Sequence, residues 1–420
     1  MMARNGWGRV GFSLAVGWLA ACSGDDGETT VATTTTATTA TATTAMASSP
    51  GASATMATTS ASGEDSESAE TGTTAVETRG YALGMTPFPY DATQAAVDWV
   101  YARLAVDVDL LAFHTTSGVP WVEAAMDASV DGYGASVQAI WAKHLEQLGA
   151  GHEVYVGLTP LDDARAALAD YWGEAEHMPL PVPWDNYDFD APEVEAAYLS
   201  FCRQAILHYQ PDHLAIGIEV NLLKANAPER WDAFVQLHSS TYVALKAEFP
   251  ELPIFATFTG VDLLAGWTEV DHAAQLDAVA DILPFSDYLG ISFYPFMSSY
   301  LANPYPESAW DEFVALADGK PVVISESGFP AQVTTLADLM VSFEGTPEKQ
   351  RDFVADMLAA ADEHAFPFVV NYLVRDYDAL WDALGGDELA IWRDTGLYDE
   401  DGNGRPSLDT WIEALARPRG

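Results

Sequence analysis

Basic residues are scarce in this chain. Its 420 residues include 18 Lys and Arg against 62 Asp and Glu, a formal net charge of -44. Nucleic-acid binding draws on a basic surface that neutralises phosphates, so the composition excludes it. The same shortage argues against anionic lipid or acidic polymers and leaves a neutral partner as the easier match. Only two cysteines are present, which excludes a disulfide framework and a cysteine-based zinc site. The nine histidines fall at 114, 144, 152, 177, 208, 213, 238, 272 and 364. None are spaced as His-x-His or His-Glu-x-x-His, so no metal or other cofactor is expected. A Gly-x-Ser-x-Gly elbow is missing, which argues against a serine hydrolase. Gly132-Tyr133-Gly134 lacks the third glycine of a phosphate turn and follows no strand. No uninterrupted apolar run reaches the ~18–20 residues that span a bilayer as a helix.

The first residues read as an address. Arg4 and Arg9 precede a short apolar run, Gly11 to Ala21, which ends Leu19-Ala20-Ala21-Cys22. This layout resembles a bacterial lipoprotein signal, which implies removal of residues 1–21 and lipidation of Cys22. Residues 22–79 are rich in Thr, Ala and Ser and lack aromatics and apolar periodicity. Such a chain buries too little to offset its ordering entropy, so a disordered tether is expected. Together these features imply a lipid-anchored protein at the cell surface or in the periplasm, touching the membrane through Cys22 alone.

From residue 80 to 420, strand-length apolar runs alternate with segments of helical period. The runs are Tyr81–Met85, Val108–Phe113, Val154–Leu158, Leu214–Ile218, Ile254–Phe258, Leu289–Phe293, Val322–Ser325 and Phe368–Leu373. Asp190, Pro192 and Glu193 mark a helix start whose inward face is Val194, Tyr198, Phe201, Ala205 and Tyr209. Thr346-Pro347-Glu348 marks another, facing inward through Phe353, Val354, Met357, Leu358 and Ala361. Eight strand–helix units predict an α/β fold, a (β/α)8 TIM barrel, probing its substrate with the C-terminal ends of the strands. A monomer is expected.

Two of those ends carry a carboxylate after a buried run: Glu219 on strand four and Glu326 on strand seven. A lone Glu there is commonly a salt-bridge partner or a cap. Two, opposite each other across one mouth poor in Lys and Arg, fit a protonated and an ionised carboxyl facing a glycosidic bond. Tyr294 ends strand six, where its phenol can donate to the strand-seven acid. His114 and Trp121 follow strand two, and Asn371 and Trp381 follow strand eight. The loop after strand three carries Trp172, Trp184 and Tyr187. Aromatics at a barrel mouth suit the C–H face of a sugar.

These residues resemble clan A of the retaining glycoside hydrolases. Ser325-Glu326-Ser327-Gly328-Phe329-Pro330 resembles the nucleophile strand of family 17 β-1,3-glucanases. Gly290 through Phe296 is similar to that family and to family 53 endo-β-1,4-galactanases, whose acid/base strand Glu219-Val220-Asn221 also resembles. Gly396-Leu397-Tyr398-Asp399, Gly404-Arg405-Pro406 and Trp411 are similar to the clan's closing segment, so the likeness runs over about residues 81–416. It implies Glu326 as nucleophile and Glu219 as acid/base, acting on a neutral β-linked polysaccharide or oligosaccharide. The clan usually places Asn before the acid/base; Ile218 stands here. Loss of that hydrogen bond to the sugar 2-hydroxyl costs several kcal/mol, and Asn221 is the candidate to supply it. The departure motivates a second expectation, a non-catalytic carbohydrate-binding protein on a degenerate hydrolase barrel.

Overall fold

The computed structural model describes residues 78–149, 151–337 and 340–420. The signal run, Cys22 and nearly all of the tether lie outside the described residues. Eight parallel strands close into a barrel: β1 (Ala82–Met85), β2 (Leu110–Thr115), β3 (Glu153–Leu158), β4 (His213–Ala215), β5 (Ile254–Thr259), β6 (Leu289–Phe293), β7 (Val322–Ser327) and, after a hairpin of β8 (Val333–Leu336) and β9 (Val341–Glu344), β10 (Phe368–Asn371). Closure is made by β1 against β10, with Ala82 opposite Phe368 and Met85 opposite Asn371. The longer helices following the barrel strands are α1 (Gln94–Asp107), α2 (Ala135–Gln147), α3 (Pro192–Tyr209), α4 (Trp231–Glu248), α5 (His272–Ile282), α6 (Ser308–Leu316), α7 (Pro347–His364) and α8 (Pro406–Leu415). The expected barrel is therefore the observed one. No helix among the described residues is long and apolar enough to cross a membrane.

Alternation along the strands divides the core in two. One set of residues fills the barrel: Ala82, Leu110, Ala112, Tyr155, Ala215, Phe255, Val323, Phe368 and Val370. The aromatic rings of Tyr155, Phe255 and Phe368 meet with centroids 5.2–6.3 Å apart, and alanines opposite leave them room. Gly290 is part of this fit, because a Cβ there would stand 2.9 Å from the Phe255 ring. The other set, including Ile216, Ala256, Ile291 and Ile324, packs outward against the helices.

The helices behave largely as their patterns predict. Val194, Tyr198, Phe201, Ala205 and Tyr209 of α3 are buried, as are Phe353, Val354, Met357, Leu358 and Ala361 of α7. Thr346 caps α7 by accepting from the Lys349 N–H. Asp190 does not cap α3; Ala191 holds that position without a side-chain bond, since Pro192 already removes one of the orphan N–H groups. Among the described residues, contacts with the domain begin at Thr78, whose carbonyl accepts from Arg417 Nη2 at 2.9 Å, and continue at Arg79. Its guanidinium pairs with Asp109 at 2.7 Å, and its backbone bridges to Arg419.

Candidate active site

Both acids sit at irregularities of the barrel wall. The β4 strand ends at Ala215, but its backbone stays bonded to β5. Thr257 N–H donates to Gly217 O, and Val220 N–H to Thr257 O. A regular parallel ladder would use residue 219 for the second bond, so one extra residue is inserted here. Glu219 takes φ +52°, a left-handed conformation costing a non-glycine residue about 1–3 kcal/mol at constrained sites. As a result the neighbours Ile218 and Glu219 both face the mouth, where strict alternation would admit one. On β7 the register against β6 shifts between Ile291 and Ser292, so that Ile291 opposes Ile324 and Ser292 opposes Glu326. Ser325 is the extra residue. It is buried beside Tyr155, and Glu326 turns inward next to it.

Ser292 links the two acids. Its Cα pairs with Glu326 across the ladder, and its hydroxyl donates to Glu219 Oε1 at 2.9 Å. The environments of the carboxyls differ. Tyr294 OH donates to Glu326 Oε1 at 2.5 Å, and burial, then the Glu326 charge, push the phenol well above its ordinary pKa, so it stays a donor. His114 Nδ1 lies 3.1 Å from Glu326 Oε2, a contact that places a proton on Nδ1. Its Nε2 is buried with no hydrogen-bond partner. Burial raises the Glu219 pKa, and the charge of Glu326 adds to the rise. Arg165 and the Ser292 hydroxyl oppose it. The pair is therefore unequal: one carboxyl favours its proton and the other is held by donors.

Arg165 was not foreseen. The mouth was expected to be poor in Lys and Arg, yet Arg165 Nη2 lies 3.6 Å from Glu219 Oε2, and its side chain is 1% exposed. It belongs to the loop after β3. There Asp162 Oδ1 accepts from the N–H groups of Ala166 and Ala167, and Asp162 O accepts from Arg165 N–H. Arg165 sits at φ +49°, and its Nη1 returns to the carbonyls of Asp162 and Asp163 at 3.0 and 3.4 Å.

A small hollow of about 30 Å³ opens at this end of the barrel. Its lining includes Thr86, Phe88, His114, Arg165, Ile218, Glu326 and Tyr372. Glu219 is not on that lining; Arg165, in contact with it, is.

Of the sequence-predicted residues, Glu219, Glu326, Tyr294 and His114 come together, and the others do not. Asn221 is fully buried and begins a short helix, Asn221–Asn226. Its Nδ2 donates to Gln275 Oε1 at 2.7 Å, and its Oδ1 accepts from Thr259 N–H at 2.8 Å, so its polar atoms are committed to structure. Trp121 is fully buried, donates to Ala169 O and stacks on Trp184. Trp172 is likewise core and donates to Ser136. Asn371 is buried and donates to Leu373 O, pinning its own strand end. Trp381 lies under the Arg393 guanidinium, 4.6 Å from its ring centre, and donates to Gly386 O. The aromatics on the hollow are instead Phe88, Phe113 and Tyr372. Trp392 meets Tyr294 edge-on at 6.2 Å.

Among the described residues, two groups bring possible metal-ligand atoms within 4.8 Å: Asp163, Asp170 and His177, and Asp376, Asp378 and Asp394. The second is already countered by Arg393 and Arg405. In the first, His177 Nδ1 stands 3.5 and 3.4 Å from the two carboxylates.

No protein-family model matches the chain, and a search of curated proteins finds no match. Solved structures do resemble it. The exo-β-1,4-mannosidase of Opitutaceae bacterium strain TAV5 is 14% identical with a TM-score of 0.54, over 82% of this chain and 60% of the mannosidase. This chain thus spans about 60% of that relative's length. A GH5_18 protein of Streptomyces cattleya, solved with Manβ1-4GlcNAc, is 14% identical with a TM-score of 0.51, over 82% of this chain and 83% of that one. The GH53 catalytic domain of Ignisphaera aggregans is 18% identical with a TM-score of 0.47, over 73% and 84%. At these identities the likeness is one of fold: the chain is built on a barrel that glycoside hydrolases also use.

Proposed function

We propose that the chain is a retaining glycosidase acting on a neutral β-linked polysaccharide or oligosaccharide. One observation carries this reading: two buried carboxyls, from the fourth and seventh barrel strands, meet around Ser292, and burial raises the pKa of Glu219. In this mechanism Glu219 gives its proton to the leaving oxygen while Glu326 attacks the anomeric carbon. The glycosidic bond breaks and a glycosyl ester forms on Glu326. Glu219, now ionised, takes a proton from water, whose oxygen displaces Glu326 and restores both groups. Retention calls for carboxyls ~5–5.5 Å apart. Tyr294 and His114 hold Glu326 in position, and no metal or organic cofactor enters. The test is turnover of β-1,3-glucan, β-1,4-galactan and β-mannan, with the product anomer read by proton NMR. Retained configuration, abolished in Glu326→Gln, is expected; inverted product, or turnover surviving in Glu326→Gln, rejects the mechanism.

A second reading is a non-catalytic carbohydrate-binding protein. The apolar Ile218 on the lining and the small volume of the hollow, about 30 Å³, favour it. Oligosaccharide binding with no turnover in the parent would select it. In either reading the domain works as a monomer outside a bacterial membrane, at the cell surface or in the periplasm, held by lipidated Cys22.

A further inference from the structure

Among the described residues, Arg165 is the one Lys or Arg side chain lining the hollow, in a chain with 18 such residues. A guanidinium has five N–H donors in a planar fork. Here Nη1 is used by two backbone carbonyls. Nε and Nη2 are buried and make no hydrogen bond; Nη2 has only its 3.6 Å approach to Glu219. Buried donors without acceptors are costly, and the turn around Asp162 holds this edge in place rather than letting it rotate to solvent.

A ligand in the hollow can supply the acceptor. Glu219 would protonate an oxygen bonded to the anomeric carbon, so a donor edge beside Glu219 reaches the substituents of the next ring carbon. Ile218, the neighbouring lining residue, offers no donor there. A third carboxylate is a poor fit beside Glu219 and Glu326, whose charges already oppose each other. A hydroxyl accepts without adding charge. We infer that Arg165 is a substrate-contacting residue whose Nε and Nη2 edge binds neutral ring hydroxyls, the 2-hydroxyl first. This inference rests on the hydrolase reading of Glu219 and Glu326 for its placement of the sugar.

The test pairs a substitution with removal of the substrate hydroxyl. The probes are the 4-nitrophenyl β-glucoside, β-galactoside and β-mannoside, their 2-deoxy counterparts, and the β-glucuronide. In the parent, loss of the 2-hydroxyl should lower kcat/KM by about 10- to 150-fold, the range for a hydrogen bond to a charged group. In Arg165→Met the parent sugars should fall by a similar factor, and the further 2-deoxy penalty should shrink to about 3-fold or less, the signature of a shared interaction. Arg165→Lys, which keeps a donor and a charge, should recover part of the loss, and thermal melting should show both variants folded. Equal 2-deoxy penalties in parent and Arg165→Met overturn the inference, as does turnover confined to the glucuronide. If the parent turns over none of the probes, the same comparison is made on binding of methyl glycosides by calorimetry. Coupling there upholds Arg165 while the hydrolase reading falls; no coupling, or no binding, overturns Arg165 as well.

Discussion

Glu219 joins the chemistry of the site to the stability of the fold. Burial raises its pKa above the ordinary carboxylate value, and Arg165 only partly offsets this. Between the unfolded and folded pKa values the native state therefore holds more protons than the unfolded chain, and stability falls as pH rises through that window. The sign is opposite to that of a salt-bridged surface acid. Glu219→Gln removes the cost of ionising a buried group and keeps the volume. Urea denaturation at pH 4, 6 and 8 should find the variant's advantage over the parent near zero at pH 4 and growing toward pH 8. An advantage independent of pH would mean that Glu219 does not titrate in this range. In the proposed mechanism, the proton that is costly to lose is the one given to the leaving group.

At the scale of elements, the acids owe their directions to inserted residues. Glu326 was legible because Val322, Val323 and Ile324 form a buried run that stops at an acid. Its inward aim was not, because plain alternation from the inward Val323 makes Ser325 inward and sends Glu326 toward the helices. The shift at Ser325 turns it back. Glu219 was legible in the same way, but the strand ends four residues before it, and its left-handed backbone leaves no mark in an apolar pattern. Arg165 was hidden for a different reason: it stands in an irregular loop with no periodicity, 54 positions from Glu219. The tryptophans misled because a large ring in a mouth loop packs as readily as it lines a site, and Trp121 and Trp184 pack on each other. Asn221 misled by proximity in sequence, since the helix it starts carries it behind the wall. Asn221→Ala leaves Thr259 N–H and Gln275 without their partner, so chemical denaturation should show a loss of about 1–3 kcal/mol. Sugar affinity should hold; a rise in the dissociation constant without a loss of stability would return Asn221 to the substrate.

At the scale of the molecule, the barrel has two unlike ends. The acids open at the C-terminal ends of the strands, and the chain enters at the other end. There Arg79 N–H donates to Pro418 O, and Gly420 N–H to Arg79 O. The Arg79 guanidinium reaches Asp109 and the carbonyls of Tyr81, Leu415 and Arg417. The anchoring proposed for Cys22 is tested by fractionating bacterial cells that express the full chain. The parent should sediment with membranes and take up labelled fatty acid, and Cys22→Ala should do neither; equal behaviour of the two would remove the anchor. The bridge between Arg79 and Arg419 also decides how force would pass through the domain. A pull on the chain ahead of residue 78 is received at the floor of the barrel by the terminal strap rather than by β1 alone. The opening that holds Glu219 and Glu326 lies at the far end of the strands, so a load on the N-terminal side is taken first at the floor.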